Sequence, residues 1–225
     1  MHDVFQKIRD VCQRINRDPA TIRVLAAIKD QPDQKVIEII GKGVRIVGEN
    51  QVQHAIERSI SFKEMGCEYH FIGGIQSNKL RRIINKFDVI QTLDKYEHAS
   101  KIQSICETQS KIMPCYIEIN IQNNPNRRGL LENLVINFAK LIIQYNNIRV
   151  LGIMTLAPFF DDIEKTRPYF KKMAKINQDL KNCLGNKYGG LLSMGMSRDF
   201  EIAIEEGADL VRIGQAFFGQ RTNPN

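Results

Sequence analysis

Lys29 closes the apolar run Val24-Leu25-Ala26-Ala27-Ile28. A lysine at the end of a buried strand is out of place unless its ammonium is paired or neutralised. Burial lowers the pKa of such an amine and frees it to attack an aldehyde carbon. A lysine that snorkels from the strand end to solvent explains the position equally well, so the surroundings decide. Two loops late in the chain read LSMGMSRD and VRIGQAFFG. Both are built from small residues, can expose backbone N–H groups and lead into helical turns, as anion-binding loops do. Ser193 and Ser197 add hydroxyls. An amine nucleophile combined with a phosphate cradle is the chemistry these residues allow; two plain glycine turns are the alternative.

The elements that would position them alternate regularly. Strands are expected at 23–29, 45–49, 69–73, 89–93, 114–121, 150–155, 190–194 and 210–213. Helices are expected at about 33–42, 51–65, 77–86, 95–109, 131–145, 162–184 and 199–206. Eight strands alternating with helices predict a parallel sheet, and its closure into a (β/α)8 TIM barrel. Length favours one domain over residues 1–225, with an amphipathic helix at about 3–16 packing outside the barrel. Val4, Phe5, Ile8, Val11, Cys12 and Ile15 form its apolar face.

In such a barrel the C-terminal strand ends converge on one mouth, where active sites lie. The polar residues gather there: Lys29, Gly48-Glu49-Asn50, Gly73 to Asn78, Asn120, Met154-Thr155, Ser193 to Ser197 and Arg212 to Gln215. The loops after strands seven and eight are the usual phosphate position in this architecture.

Competing chemistries lack their residues. Gly41-Lys42-Gly43 is not a Walker A loop and reads as a tight turn. His2, His54, His70 and His98 lack metal-ligand spacing, and His2 and His98 read as surface residues. No Gly-x-Ser-x-Gly elbow occurs, and Asp161-Asp162 need only begin a helix. The five scattered cysteines form no Cys-x-x-Cys pair, so neither a disulfide framework nor a zinc knuckle is expected. The N-terminus lacks a signal peptide's apolar core, which with the cysteines predicts a cytoplasmic protein. Hydrophobic residues at 43% and charged residues at 25% are globular values, and no apolar run could span a bilayer. The net charge of +7 is spread rather than blocked, so neither nucleic acid nor membrane is the expected partner.

Lys29, GENQVQ at 48–53, YHFIGGIQSNK at 69–79, GIMTLAP at 152–158 and LSMGMSRDFEIAIEEGADLVRIGQAFFG at 192–219 together resemble the pyridoxal-phosphate homeostasis proteins (the YggS/PROSC group). That family is similar in fold to the barrel of alanine racemase. The match runs in order from about residue 5 to 219. The resemblance implies that Lys29 holds pyridoxal 5′-phosphate (PLP) as a Schiff base and that the protein contributes to intracellular vitamin B6 homeostasis. It further implies that Asn50 lines the ring face and that Ser193, Ser197, Gly214 and the Gln215 backbone hold the phosphate. Arg212 would face the pyridine nitrogen, Met194 and Met196 would shape the pocket, and His70, Asn78 and Met154 would line it further out.

Three positions depart from the family pattern. Asp30 stands where Thr is common, Gln51 where Tyr is usual, and Asn126-Arg127-Arg128-Gly129 where a Lys-x-Gly ending is frequent. Arg127 keeps a charge there but does not form imines. The alternative activity is an amino-acid racemase. An arginine at the ring nitrogen weakens the electron sink without excluding racemisation. The proton-donating tyrosine that alanine racemase takes from a C-terminal β-domain is not expected here. The reading favoured by the sequence is a non-catalytic carrier, monomeric, with transient contacts to PLP-dependent apoenzymes.

Overall fold

The computed structural model describes residues 2–219, with side chains from Val4 onward, so the expected surface position of His2 lies outside the described residues. Eight parallel strands close into a barrel in chain order. They are β1 (Arg23–Ala27), β2 (Ile46–Glu49), β3 (Glu68–Phe71), β4 (Val89–Leu93), β5 (Met113–Ile119), β6 (Ile148–Thr155), β7 (Leu191–Met196) and β8 (Leu210–Ile213). Pairing of β1 with β8, Leu25 opposite Arg212, completes the ring. Helices run outside it: α1 (His2–Arg14), α2 (Asp33–Gly41), α3 (Val52–Glu57), α4 (Leu80–Lys86), α5 (Tyr96–Thr108), α6 (Glu132–Ile142), α7 (Arg167–Leu184), α8 (Phe200–Glu205) and the single turn α9 (Gln215–Phe218). The (β/α)8 expectation is met.

The two-residue period of a strand sorts side chains between barrel interior and helix layer. Leu25 and Ala27 of β1 meet Ile46, Ile72 and Leu210 in one interior cluster. Val89, Tyr116 and Met154, with Leu151 and Leu191, form a second. The alternate residues Val24, Ala26, Ile28, Val47, Tyr69, Val211 and Ile213 join the large core under the helices. The helices supply the other half of that layer, for example Val135, Phe138, Ala139 and Ile142 of α6.

α1 buries Val4, Ile8, Val11 and Cys12. It is clamped from outside by Arg14 on Glu205 at 2.9 Å and meets α9 through Phe5 and Phe217. Ile15 lies beyond the last helical residue and is 36% exposed, so it leaves the face expected of it. Cys12, Cys67, Cys106 and Cys115 are buried and Cys183 is exposed, all as free thiols. Among the described residues no helix is long and apolar enough to cross a membrane.

The helix expected over 51–65 stops at Glu57. Arg58 takes extended backbone angles, and its guanidinium turns back to the carbonyls of Ile28 and Gln31 and to Asp33 and Glu49. The ends of β1 and β2 claim the residue that helical periodicity would have continued through. β1 likewise ends at Ala27, so Lys29 lies in the turn that follows, where Asp30 adopts φ of +60°. Arg58 thus braces the turn that carries Lys29 from both sides.

Glu49 is fully buried, and Arg58 is its ion-pair partner at 3.4 Å. Removing one partner of a buried pair strands the other charge. Arg58→Ala should therefore lower the free energy of unfolding by about 3 kcal/mol. Urea unfolding measures this; a loss no larger than that of an exposed arginine would show that the brace contributes nothing.

Candidate functional site

The loops that follow the strands define the mouth. Lys29, half-buried, is two residues beyond Ala27, whose side chain faces the barrel interior. Ala27 pairs with Gly48 on one side, which brings Asn50 alongside the lysine turn. On the other side a Cβ placed on Gly214 would lie 3.7 Å from the Ala27 Cβ, so the loop after β8 abuts the same turn. Asn50 is held by its backbone N–H donating to Glu49 Oε1 at 2.7 Å. Its Oδ1 is buried and, among the described residues, has no hydrogen-bond partner. Gly73 is required next to it, because a Cβ there would fall 2.0 Å from the Asn50 carbonyl oxygen.

At the end of β7, Ser197 Oγ accepts hydrogen bonds from the Gly214 and Ala216 N–H groups, at 3.1 and 3.2 Å. Two backbone donors thus converge on one oxygen at the rim, an arrangement suited to an anionic oxygen. Gln215 lies exposed between them.

Ser193 is elsewhere. It points into the closed barrel, fully buried, accepting from Arg212 Nη1 at 2.7 Å and donating to Gln91 Oε1 at 2.7 Å. With both bonds committed it belongs to the floor under Arg212, away from the rim where the sequence expects a phosphate cradle. Met194 also leaves the expected pocket. It alternates with Ser193 and is fully buried in the core between barrel and helices. Met196 stays at the rim, 39% exposed. Met154 lines the interior, Asn78 is exposed, and Asn120 serves the β5–α6 loop by bonding the carbonyls of Asn124 and Arg127.

Arg212 is the central cation, 5% exposed. Its Nη2 donates to the Thr155 carbonyl at 2.6 Å. Burial lowers its pKa to about 10, partly countered by Asp199 and Glu118, so it stays charged at neutral pH. His70 is fully buried beneath, between Gln91 at 2.9 Å and Glu68 at 3.0 Å. Burial lowers its pKa, which keeps the ring neutral, while the hydrogen bond from His70 helps hold Glu68 down at about 2. His98 is buried rather than on the surface, because the start of α5 turns it towards Asp94 at 3.6 Å.

Sequence reasoning missed several residues of the site. Glu118 of β5 projects into the interior with one carboxylate oxygen unpartnered. Burial, and then the charge of Asp94, raise its pKa to about 7 against the pull of Arg128 and Arg212. Gln91 and Glu118 interrupt the largely apolar runs VIQTL and YIEIN, and that interruption was the available signal. In the loop after β5, the Arg128 guanidinium reaches the loop after β3; its Nη1 lies 1.5 Å from where a Gly74 Cβ would be.

This parallel barrel is of the alanine racemase N-terminal domain class, whose family model matches residues 6–222. Within that class, the pyridoxal phosphate homeostasis protein of Aquifex aeolicus is 34% identical over 97% of this chain and 95% of its own length. The protein of that name from Escherichia coli is 31% identical over 97% and 94%. The chain belongs to the pyridoxal phosphate homeostasis protein family. Solved structures agree on the fold. A Bifidobacterium adolescentis protein of unknown function superposes with a TM-score of 0.89 at 27% identity, covering 96% of this chain and 92% of that one. PipY of Synechococcus elongatus with PLP bound gives 0.82 at 24%, covering 95% and 100%. Alanine racemase of Clostridium difficile gives 0.70 at 16%, covering 98% of this chain and 57% of that one.

The Glu118 carboxyl has a testable consequence. Its folded pKa lies above that of an exposed glutamate, so between those values the folded state holds a proton that the unfolded state has lost. Stability therefore falls as pH rises through about 4.5 to 7. Glu118→Gln removes that slope and should gain on the wild type by about 3 kcal/mol between pH 4 and pH 8. Urea unfolding of the ligand-free proteins at both pH values measures it; parallel pH profiles would place Glu118 in contact with water.

Proposed function

We propose that the barrel mouth binds PLP covalently on Lys29 and that the protein serves as a carrier in intracellular vitamin B6 homeostasis. The observation that carries this reading is the placement of Lys29 between two features. On the β2 side stands Asn50, whose buried Oδ1 lacks a partner; on the β8 side stand the amides of Gly214 and Ala216. An unpartnered buried acceptor costs roughly 1–3 kcal/mol, which a bound polar ligand recovers. The residues fit PLP: an amine for its aldehyde, convergent donors for its phosphate, and an arginine in the floor between them.

When bound, PLP would supply an electrophilic aldehyde carbon for the Lys29 amine. The protein's own residues do the rest. Ser197 and the Gly214 and Ala216 amides would hold the phosphate, Asn50 would line the ring face, Arg58 braces the lysine turn, and Arg212 would donate towards the ring nitrogen. A cation that cannot accept a hydrogen bond keeps that nitrogen unprotonated and so restrains carbanion chemistry, which suits a carrier better than a racemase. The family names of the relatives from Aquifex aeolicus and Escherichia coli support the same reading. We place the protein in the cytoplasm as a monomeric single domain that passes PLP to apoenzymes by transient contact.

Titration with PLP, followed by visible absorption, tests the reading. The wild type should turn yellow, and Lys29→Ala should lose that band while keeping its fold by circular dichroism. Incubation of the loaded protein with L- and D-amino acids should then give no sustained interconversion. A wild type that stays colourless with excess PLP would sink the proposal; rapid interconversion would make the protein a racemase.

A further inference from the structure

A line of polar side chains crosses the barrel interior from Arg212 to the opposite face. Arg212 Nη1 meets Ser193 Oγ at 2.7 Å, Ser193 Oγ meets Gln91 Oε1 at 2.7 Å, Gln91 Nε2 meets His70 Nδ1 at 2.9 Å, and His70 Nε2 meets Glu68 Oε2 at 3.0 Å. The residues between the two ends, Ser193, Gln91 and His70, are all fully buried. Glu68 begins β3 at the N-terminal rim, half exposed, and borders a cavity that also involves Phe5, Arg23 and Arg45.

The direction of every bond follows from one fact. A guanidinium has no acceptor, so Ser193 Oγ must receive from Arg212 and give its own proton onward. Gln91 must then turn its carbonyl to Ser193 and its amide N–H to His70 Nδ1. His70 is left with its proton on Nε2, and it donates to the Glu68 carboxylate. All the donors point the same way, with a cation at the start and an anion at the end. Such chains polarise cooperatively in a low-dielectric interior. Mere filling of the barrel does not explain the arrangement, since apolar residues of like volume occupy neighbouring interior positions and avoid the cost of burying polar groups.

We propose that Glu68 is a positioning residue for Arg212, acting through His70, Gln91 and Ser193 from the far face of the barrel, and that it sets how strongly Arg212 donates to the PLP ring. This rests on the PLP reading above. Glu68 itself touches neither the cofactor mouth nor Arg212.

The first test needs no cofactor. In 15N NMR of the ligand-free protein, His70 should carry its proton on Nε2. Glu68→Gln should shift the Arg212 guanidinium resonances, whereas Arg23→Ala, which removes only the other partner of Glu68 at the rim, should leave them in place. The second test is PLP affinity by spectral titration. Glu68→Gln should raise Kd by roughly tenfold, the scale of one hydrogen bond to a charged group. Gln91→Leu should cost a similar factor, and the double variant no more than either alone, because a chain cut once is already cut. A proton on His70 Nδ1, Arg212 resonances indifferent to Glu68→Gln, equal shifts from Arg23→Ala, or additive losses in Kd would each overturn the relay. A wild type that binds no PLP would instead remove the cofactor reading, and the ligand-free resonances would then decide the relay alone. If Gln91→Leu does not fold, the rim variant Glu68→Gln still decides.

Discussion

A guanidinium enclosed in a barrel must be satisfied by its neighbours, since water cannot reach it, and this constraint at Arg212 organises the interior. Its Nη2 takes the Thr155 carbonyl from the end of β6, and its Nη1 takes Ser193 from β7. Those bonds set polar groups among apolar ones. Leu25, Ile46 and Leu210, and across the barrel Val89, Tyr116 and Met154, form apolar clusters, while His70, Gln91, Ser193, Glu118 and Arg212 are buried polar residues on neighbouring interior positions. The cost of burying these groups is offset only because almost all have partners. Among the described residues the exceptions include Glu118 Oε2 and Tyr116 Oη in the interior and Asn50 Oδ1 at the mouth, with Arg58 Nε, Tyr69 Oη and His98 Nδ1 elsewhere.

The rim follows a second version of the same logic. Arg58 bonds the carbonyls of Ile28 and Gln31, which bracket Lys29 and Asp30, and pairs with Asp33 and the buried Glu49. The lysine is therefore carried on a short turn whose backbone is fixed from beneath. The cradle at Ser197, Gly214 and Ala216 is made mostly of main chain, so it depends on loop shape more than on side-chain identity.

Much of this was legible in the residues. The alternation of apolar runs located all eight strands, and Lys29 with the two glycine-containing loops marked the mouth. What the sequence misplaced was decided by tertiary contact. Ser193 read as a phosphate ligand because of its motif, yet the strand period turns it under Arg212. Met194, its neighbour, is turned to the helices for the same reason. Arg58 looked like part of a helix because the pull of the β1 and β2 ends leaves no trace in periodicity. Gln91 and Glu118 passed unnoticed because a single polar residue in a strand looks like an exposed one until the barrel closes around it. Arg128 escaped notice because the direction of a side chain in a loop is fixed by its neighbours, here the bare backbone of Gly74.

The most direct measurement is to load the protein with PLP, fix the linkage with sodium borohydride, and map the modified lysine by peptide mass spectrometry. A phosphopyridoxyl group on the peptide containing Lys29, at one equivalent per chain and absent when inorganic phosphate is present in large excess, is the predicted result. Modification spread over surface lysines such as Lys79 or Lys187, with Lys29 untouched, would contradict the assignment of this mouth as the cofactor site.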